Sequence, residues 1–217
     1  MQNYNKIYPE YKKQELNFDT SLTKHCPFII RLDAIQTTKL LAKPFDLQFA
    51  QQMQSFSQDL QLLTNAPLLF TISDEVSLLF NKRTFFQTDR VEKIISQIAG
   101  LSALCWNKNF PEQKLFDARV FSLSPEQVEP YFYFRQQLIA SNLVASGYRE
   151  LAGQYPEPQC SFPQALAFNQ KQNQQWQQIP AAVLWGTFLQ PQAAPYSLDL
   201  SQPAAHDQFQ QKLDSLL

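Results

Sequence analysis

The chain lacks the sequence features of secreted, membrane-spanning and zinc-binding proteins. Its 217 residues include only three cysteines, Cys26, Cys105 and Cys160. Their odd number and the absence of a CxxC spacing argue against a disulfide framework or a zinc site. The segment from Met1 to Asn17 contains no apolar core of a secretory signal. No apolar run approaches the roughly 18–20 residues that span a bilayer. A cytoplasmic protein without a membrane segment is therefore expected.

The chain also has little net charge. The formal charge of −1 excludes a strongly basic nucleic-acid-binding chain, although it does not exclude a local basic patch. Basic residues concentrate in the middle of the chain, at Lys82, Arg83, Arg90, Lys93, Lys108, Lys114, Arg119, Arg135 and Arg149. A solvated surface and a phosphate-binding face both remain open. With 44% hydrophobic residues, the chain is long enough for one substantial core.

Apolar periodicity predicts the order β-α-β-β-α-β in the first part of the chain. The predicted strands are Phe28–Leu32, Leu68–Ile72, Val76–Phe80 and Leu115–Leu123. After a helical turn at Ile35–Leu41, Asp46 is expected to cap a helix whose apolar stripe comprises Phe49, Met53, Phe56, Leu60 and Leu63. A second helix carries its stripe at Val91, Ile94, Ile95, Ile98, Leu101 and Cys105.

This order is the ferredoxin-like split βαβ arrangement, an α+β fold with helices on one face of an antiparallel sheet. We expect an N-terminal arm at residues 1–24, a palm-like catalytic domain at 25–123, and a C-terminal helical and irregular extension at 124–217. Ser124-Pro125-Glu126 begins a long helix that runs towards Leu151. The apolar stretch 180–189 is predicted as a strand or a packing arm.

This topology identifies two acidic residues as a candidate metal-binding pair. Asp33 ends the first strand, and Asp74 lies in the turn between the second and third strands. In a split βαβ sheet these two places lie at the same edge. Either residue alone is typical of an ordinary turn, but together they match the carboxylate pair that holds two magnesium ions in palm-type nucleotidyl transfer.

Further motifs extend the pattern around the two acids. They are Phe28–Lys43 continuing into Pro44-Phe45-Asp46, Ser73–Phe80, Arg90–Lys93, Phe116–Arg119, Tyr131–Gln137 and, more weakly, Phe168-Asn169 and Trp176-Gln177. This ordered combination, over about residues 25–190, resembles the tRNA-His guanylyltransferase superfamily. That superfamily adds nucleotides in the 3′-to-5′ direction.

The resemblance implies a two-metal nucleotidyltransferase with Mg²⁺ as cofactor and ATP, GTP or another nucleoside triphosphate as substrate. It implies that Asp33, Asp74 and Glu75 are catalytic, with Asp33, Asp74 and the Ala34 carbonyl as metal ligands. The implied nucleotide contacts are Lys43, Asp46, Ser73, Arg90 and Lys93, and Thr37, Thr38 and Lys39 are candidate phosphate donors where the chain departs from the superfamily pattern. Arg135 and Asn142 either line an RNA-facing helix or make structural polar contacts. The implied partner is an RNA 5′ end, with tRNA as the expected RNA, and the implied assembly is a homotetramer built as a dimer of dimers.

Two departures from the superfamily pattern point to a particular branch. The usual Asp-Gly-Arg-Gly-Phe after the first strand is here Asp33-Ala34-Ile35-Gln36-Thr37, without the glycines that wrap a triphosphate. Leu138–Asn142 replaces the eukaryotic His-Ile-Asn-Asn signature, so selective recognition of the histidine anticodon is not expected. The bacterial and archaeal guanylyltransferase-like branch, which resembles repair enzymes acting on shortened tRNA 5′ ends, is closer. The alternatives are a diverged palm-type nucleotidyltransferase or cyclase with another substrate, and a degenerate, non-catalytic RNA-binding member.

Overall fold

A five-stranded antiparallel sheet organises the chain. The computed structural model describes residues 20–35, 45–81 and 85–217. The strands are β1 Phe28–Ala34, β2 Leu68–Ile72, β3 Glu75–Phe80, β4 Phe116–Ser122 and β5 Thr187–Leu189. The helices are α1 Leu47–Thr64, α2 Val91–Asn109, α3 Pro125–Ala152, α4 Phe162–Gln172, α5 Gln174–Gln177, α6 Ala181–Leu184 and α7 Pro203–Asp214. Within the described ranges, no helix is long and apolar enough to cross a membrane.

The sheet has the strand order β4–β1–β3–β2–β5, and every neighbouring pair is antiparallel. The first four strands reproduce the ferredoxin-like order, in which β3 lies between β1 and β2. The predicted α+β fold is therefore confirmed. The stretch 180–189, predicted as a strand or an arm, forms the short helix α6 and then β5, which extends the sheet beyond β2.

Helices α1 and α2 cover one face of the sheet because their apolar stripes match its inward-facing residues. Phe56 of α1 and Trp106 of α2 are fully buried and contact each other at a ring separation of 5.5 Å. Alternate residues of β1, such as Ile30 and Leu32, belong to this core. Leu63, expected on the buried stripe of α1, is instead 52% exposed, because the buried face of the last turn runs through Leu60 and Thr64.

The other face of the sheet is covered in part by α3 and α7. Helix α3 begins with a capping box between Ser124 and Gln127, as the sequence indicates, and ends at Gly153 in the left-handed conformation. Phe132 of α3 and Phe209 of α7 pack against Phe188 of β5 in a second core. The C-terminal segment therefore completes the sheet and covers the face that α1 and α2 leave open.

Candidate active site

Three carboxylates lie side by side across the sheet, on the face opposite to α1 and α2. Asp33 is directly opposite Glu75 on β3 and directly opposite Asp117 on β4. Asp74 precedes Glu75 in the β2–β3 turn, and its carbonyl oxygen accepts a 3.0 Å hydrogen bond from the amide of Ala34. The fold thus brings Asp33 and Asp74 to the same end of the sheet, as the topology predicts.

The neighbouring acids change the pKa of Asp33. The pKa of Asp33 is raised from 3.8 to about 6, first by burial and then by the negative charges of Asp74, Glu75 and Asp117. Arg31, two residues earlier on the same face of β1, opposes this rise. The ionised form of Asp33 is therefore less stable in the folded protein than in water. A bound cation would offset this cost.

Glu75 is held by two arginines. Arg135 of α3 donates from Nη2 to both carboxylate oxygens of Glu75, and the Nε atom of Arg31 lies 3.8 Å from Glu75 Oε2. The Arg135 side chain is only 8% exposed. The guanidinium of Arg135 therefore points into the protein and pairs with the sheet. An RNA contact of Arg135 stays a prediction.

A cavity of about 460 Å³ lies beside the acids. Its walls come from the first half of α1, the β2–β3 hairpin, α3 and the segment 180–187. Ser73, Asp74 and Glu75 form one rim, and Asp46 and Asn142 line the walls among apolar side chains. The volume lies within the range of small-molecule sites. Of the predicted nucleotide and RNA contacts, Asp46, Ser73 and Asn142 therefore share one cavity with Asp74.

Local backbone chemistry explains two of these positions. Asp46 caps α1, and its Oδ1 accepts a 2.8 Å hydrogen bond from the amide of Phe49, as predicted for the helix cap. Phe45, just before it, packs edge-on against Trp176 at 5.8 Å. Ser73 adopts a positive φ of 54° in the hairpin turn, and its hydroxyl donates to Asp74 at 3.2 Å.

The remaining predicted nucleotide contacts fall into two groups. Thr37, Thr38, Lys39 and Lys43, and most of the predicted helical turn Ile35–Leu41, lie outside the described residues. Arg90 and Lys93 lie at the first turn of α2, as expected. However, the structure does not bring them to the acids within one chain.

The position of Arg90 follows from its neighbours. Ser21 pairs with Arg90 across an isolated bridge, and the Thr23 amide donates to Ser122 Oγ at 2.8 Å. Ser122 is opposite Phe28, at the other end of β1 from Asp33. With about 3.3 Å per residue in a strand, the two ends of the sheet are separated by about 20 Å.

Two residues near the acids were not among the predicted site residues. Arg31 and Asp117 occupy the same sheet face as Asp33, one by strand alternation and the other by register. The alternation of β1 would have identified Arg31 from the sequence. Asp117 required the register between β1 and β4, which the sequence does not specify.

The described residues contain no group of three or more histidine, cysteine, aspartate or glutamate side chains arranged to hold a metal ion. Glu75 is instead paired with arginines. A magnesium site at Asp33 and Asp74 would therefore need further oxygen ligands from the backbone or from a substrate.

The fold and this site define a palm-type domain: a ferredoxin-like sheet with paired acids at the end of its first strand and at the following hairpin. A family model described as tRNAHis guanylyltransferase (Thg1) matches residues 8–125. The chain therefore belongs to the tRNAHis guanylyltransferase family. A comparison with curated protein sequences gives no significant match.

Solved structures show the same fold along almost the whole chain. A bacterial tRNA(His) guanylyltransferase (Thg1)-like protein in complex with ATP aligns with a TM-score of 0.73 and 21% identity, covering 95% of this chain and 99% of that one. The bacterial Thg1-like protein in complex with GTP aligns with a TM-score of 0.71 and 21% identity, covering 96% and 99%. The tRNA(His) guanylyltransferase from Saccharomyces cerevisiae aligns with a TM-score of 0.63 and 14% identity, covering 91% and 95%.

Proposed function

We propose that this protein is a Mg²⁺-dependent nucleotidyltransferase that adds nucleotides in the 3′-to-5′ direction to RNA 5′ ends, with tRNA as the substrate. The observation that carries the proposal is the juxtaposition of Asp33 with Asp74, which lines the rim of a nucleotide-sized cavity. Membership of the tRNAHis guanylyltransferase family supports the reaction class. The ATP and GTP complexes of similar bacterial structures support nucleoside triphosphates as ligands of this cavity.

The donor set at the rim suits a hard divalent cation. Asp33 and Asp74 offer carboxylate oxygens, and burial together with like charge opposes the ionisation of Asp33 unless a cation compensates it. With the Ala34 carbonyl, these two residues would hold the ions. Bound Mg²⁺ would supply charge neutralisation on the phosphates and a lower pKa for the attacking hydroxyl.

The chemistry has two displacement steps. In the first, an oxygen of the RNA 5′-monophosphate attacks the α-phosphorus of ATP, and pyrophosphate leaves. In the second, the 3′-hydroxyl of another nucleoside triphosphate attacks the activated 5′-phosphorus, and AMP leaves. The apolar cavity wall would hold a base, and the acids at the rim would hold the Mg²⁺ that neutralises its phosphates, so that the reacting groups are positioned together.

A phosphate-binding role for Arg90 and Lys93 would require a second copy of the chain. Within one chain they lie about 20 Å from Asp33, judged from strand length. In the homotetramer that the family resemblance implies, a neighbouring copy would supply them. Mixing inactive Asp33→Ala subunits with inactive Arg90→Ala subunits should then restore activity. Mixtures that stay inactive would exclude the shared site.

The direct test uses purified protein, Mg²⁺, labelled nucleotides and 5′-truncated tRNA. We expect 5′ extension that Asp33→Ala and Asp74→Ala each abolish. Asp207→Ala is a matched control, because Asp207 lies on α7 with its side chain 78% exposed and should not affect extension. No extension across several tRNAs and nucleotides would refute the polymerase reaction. A nucleotide-only product would favour a cyclase or another transferase, and tRNA binding without binding of Mg²⁺-nucleotide would favour a degenerate member.

A further inference from the structure

The Glu75–Arg135 ion pair joins the sheet to α3 beside Asp33 and Asp74. Glu75 follows Asp74 in the chain and is opposite Asp33 in the register. Arg135 reaches it from the middle of α3 and donates to both of its carboxylate oxygens. Both side chains are largely buried, at 8% and 14% exposure. A buried pair in which one guanidinium nitrogen binds both carboxylate oxygens fixes the position of the carboxylate as well as compensating its charge.

Charge balance gives the pair a second consequence. The strand register places Glu75 and Asp117 on either side of Asp33, and Asp74 directly precedes Glu75, so four carboxyl groups lie in one small region. Arg135 and Arg31 are the cations that contact Glu75. Without Arg135, Glu75 would be a nearly buried anion beside Asp33, facing the cavity that a triphosphate would enter.

We propose that Arg135 is a positioning residue that acts through Glu75. By binding both oxygens of Glu75, it withdraws that carboxylate from the metal-binding set, fixes the start of β3, and so orients the adjacent Asp74 towards Asp33. Glu75 is then a support between two arginines, and the metal-binding acids are Asp33 and Asp74. This inference rests on the proposed function, because it concerns the use of the same acid pair.

A neighbouring contact is consistent with a rigid support. One helical turn before Arg135, the hydroxyl of Tyr131 lies 2.7 Å from the hydroxyl of Ser77, two residues after Glu75 on the same face of β3. Helix α3 is thus joined to β3 by two successive polar contacts. A change at Arg135 would therefore disturb the hairpin end of β3 while the Tyr131–Ser77 contact keeps the helix in place.

The test compares Arg135→Met, Arg135→Lys, Glu75→Gln and the double variant Glu75→Gln/Arg135→Met. Arg149→Met is the control, because Arg149 lies near the end of the same helix, where its guanidinium binds the exposed Tyr155. Each variant is measured for melting temperature, for kcat and KM of tRNA extension, and for binding of Mg²⁺-ATP and Mg²⁺-GTP by calorimetry.

We expect Arg135→Met to weaken Mg²⁺-nucleotide binding and to lower kcat by about tenfold or more, because small displacements of reacting groups cost such factors. The KM for tRNA should stay within about twofold, and Arg135→Lys should retain part of the activity. In the Glu75→Gln background, Arg135→Met should have little further effect, since coupled residues are not additive.

Three results would overturn the inference. If Arg135→Met raises only the KM for tRNA, Arg135 is an RNA contact. If it lowers the melting temperature but leaves nucleotide binding and kcat normal, Arg135 is a purely structural link. If its effects add to those of Glu75→Gln in the double variant, Arg135 does not act through Glu75. If the wild type binds Mg²⁺-nucleotide but extends no RNA, only the proposed function fails, and the binding series decides the role of Arg135. A wild type that binds no Mg²⁺-nucleotide would overturn both.

Discussion

Replacing Asp33 by asparagine should stabilise the metal-free protein at neutral pH. The Asp33 carboxyl is partly buried beside Asp74, Glu75 and Asp117, and its pKa rises from 3.8 to about 6. A group whose pKa is higher in the folded state than in the unfolded state binds its proton more tightly when folded. The free energy of unfolding therefore falls as the pH rises from about 4 to about 6, and it stays low above that range.

The size of the effect follows from the shift. The pKa of Asp33 rises by about two, and each step of one in pKa corresponds to 1.36 kcal/mol, so the free energy of unfolding changes by about 3 kcal/mol at most. Because Asp33 is partly exposed, we expect a change of about 1–3 kcal/mol. Asparagine has nearly the same shape as aspartic acid but cannot ionise, so Asp33→Asn should recover this energy above pH 6. For a chain of 217 residues, each kcal/mol corresponds to about 2–4 °C in melting temperature.

The assay is thermal unfolding in EDTA at pH 4.0 and pH 7.5. Asp33→Asn should melt higher than the wild type at pH 7.5, and the difference should shrink to about 0.5 kcal/mol or less at pH 4.0. Asp117→Asn is the graded control, because Asp117 is the smallest of the three acidic contributions and is itself half exposed. It should give a smaller increase at pH 7.5. Added Mg²⁺ should stabilise the wild type but not Asp33→Asn.

Two outcomes would refute this reasoning. If Asp33→Asn is destabilised equally at both pH values, then the carboxylate makes net favourable contacts and the acids do not repel one another. If Mg²⁺ stabilises the two proteins equally, then Asp33 does not bind the ion.

Three further predictions concern the core and its reactivity. Gly147→Ala should destabilise the protein by about 2 kcal/mol or more, because its Cβ would lie 2.1 Å from the buried indole of Trp176. Gly100→Ala has open space around its Cβ and should stabilise its helix by about 0.5–1 kcal/mol. Equal effects of the two variants in chemical denaturation would contradict this prediction. Gln136→Leu should cost about 3 kcal/mol, because it removes three hydrogen bonds to the segment 185–200, and an unchanged urea midpoint would exclude that role. Burial raises the pKa of Cys105 to about 11, so iodoacetamide at pH 8 should modify it more slowly than the other two cysteines, as peptide mapping by mass spectrometry can show.

The fold could be predicted because its signals are local. Strand β1 is a continuous apolar run, α1 has a capping aspartate and a helical stripe, and α3 opens with Ser124 followed by a proline in its first turn. Each of these patterns depends on neighbouring residues alone. The strand β5 could not be assigned, since three residues that pair with β2 have no periodicity of their own.

The site could be predicted only in part. Asp33 and Asp74 follow from topology, because strand order determines which loop ends meet. The contact of Arg135 with Glu75 could not be predicted, because a basic residue on a long helix has no sequence mark that separates an inward from an outward side chain. Its role depends on how α3 crosses the sheet, and that crossing depends on packing between Phe132, Phe188 and Phe209.

The partial coverage of the sheet by α3 has a consequence for substrate access. Helix α3 lies over β2 and β3, where Phe132 contacts Phe70 and Arg135 contacts Glu75, while Asp117 of β4 remains exposed. Asp74 and Glu75 therefore border the cavity, while Asp117, on the other side of Asp33 in the sheet, is exposed. In the proposed reaction two large substrates must meet at one pair of carboxylates. A cavity for a nucleotide and an open strand surface for an RNA end would let them approach from different sides without displacing each other.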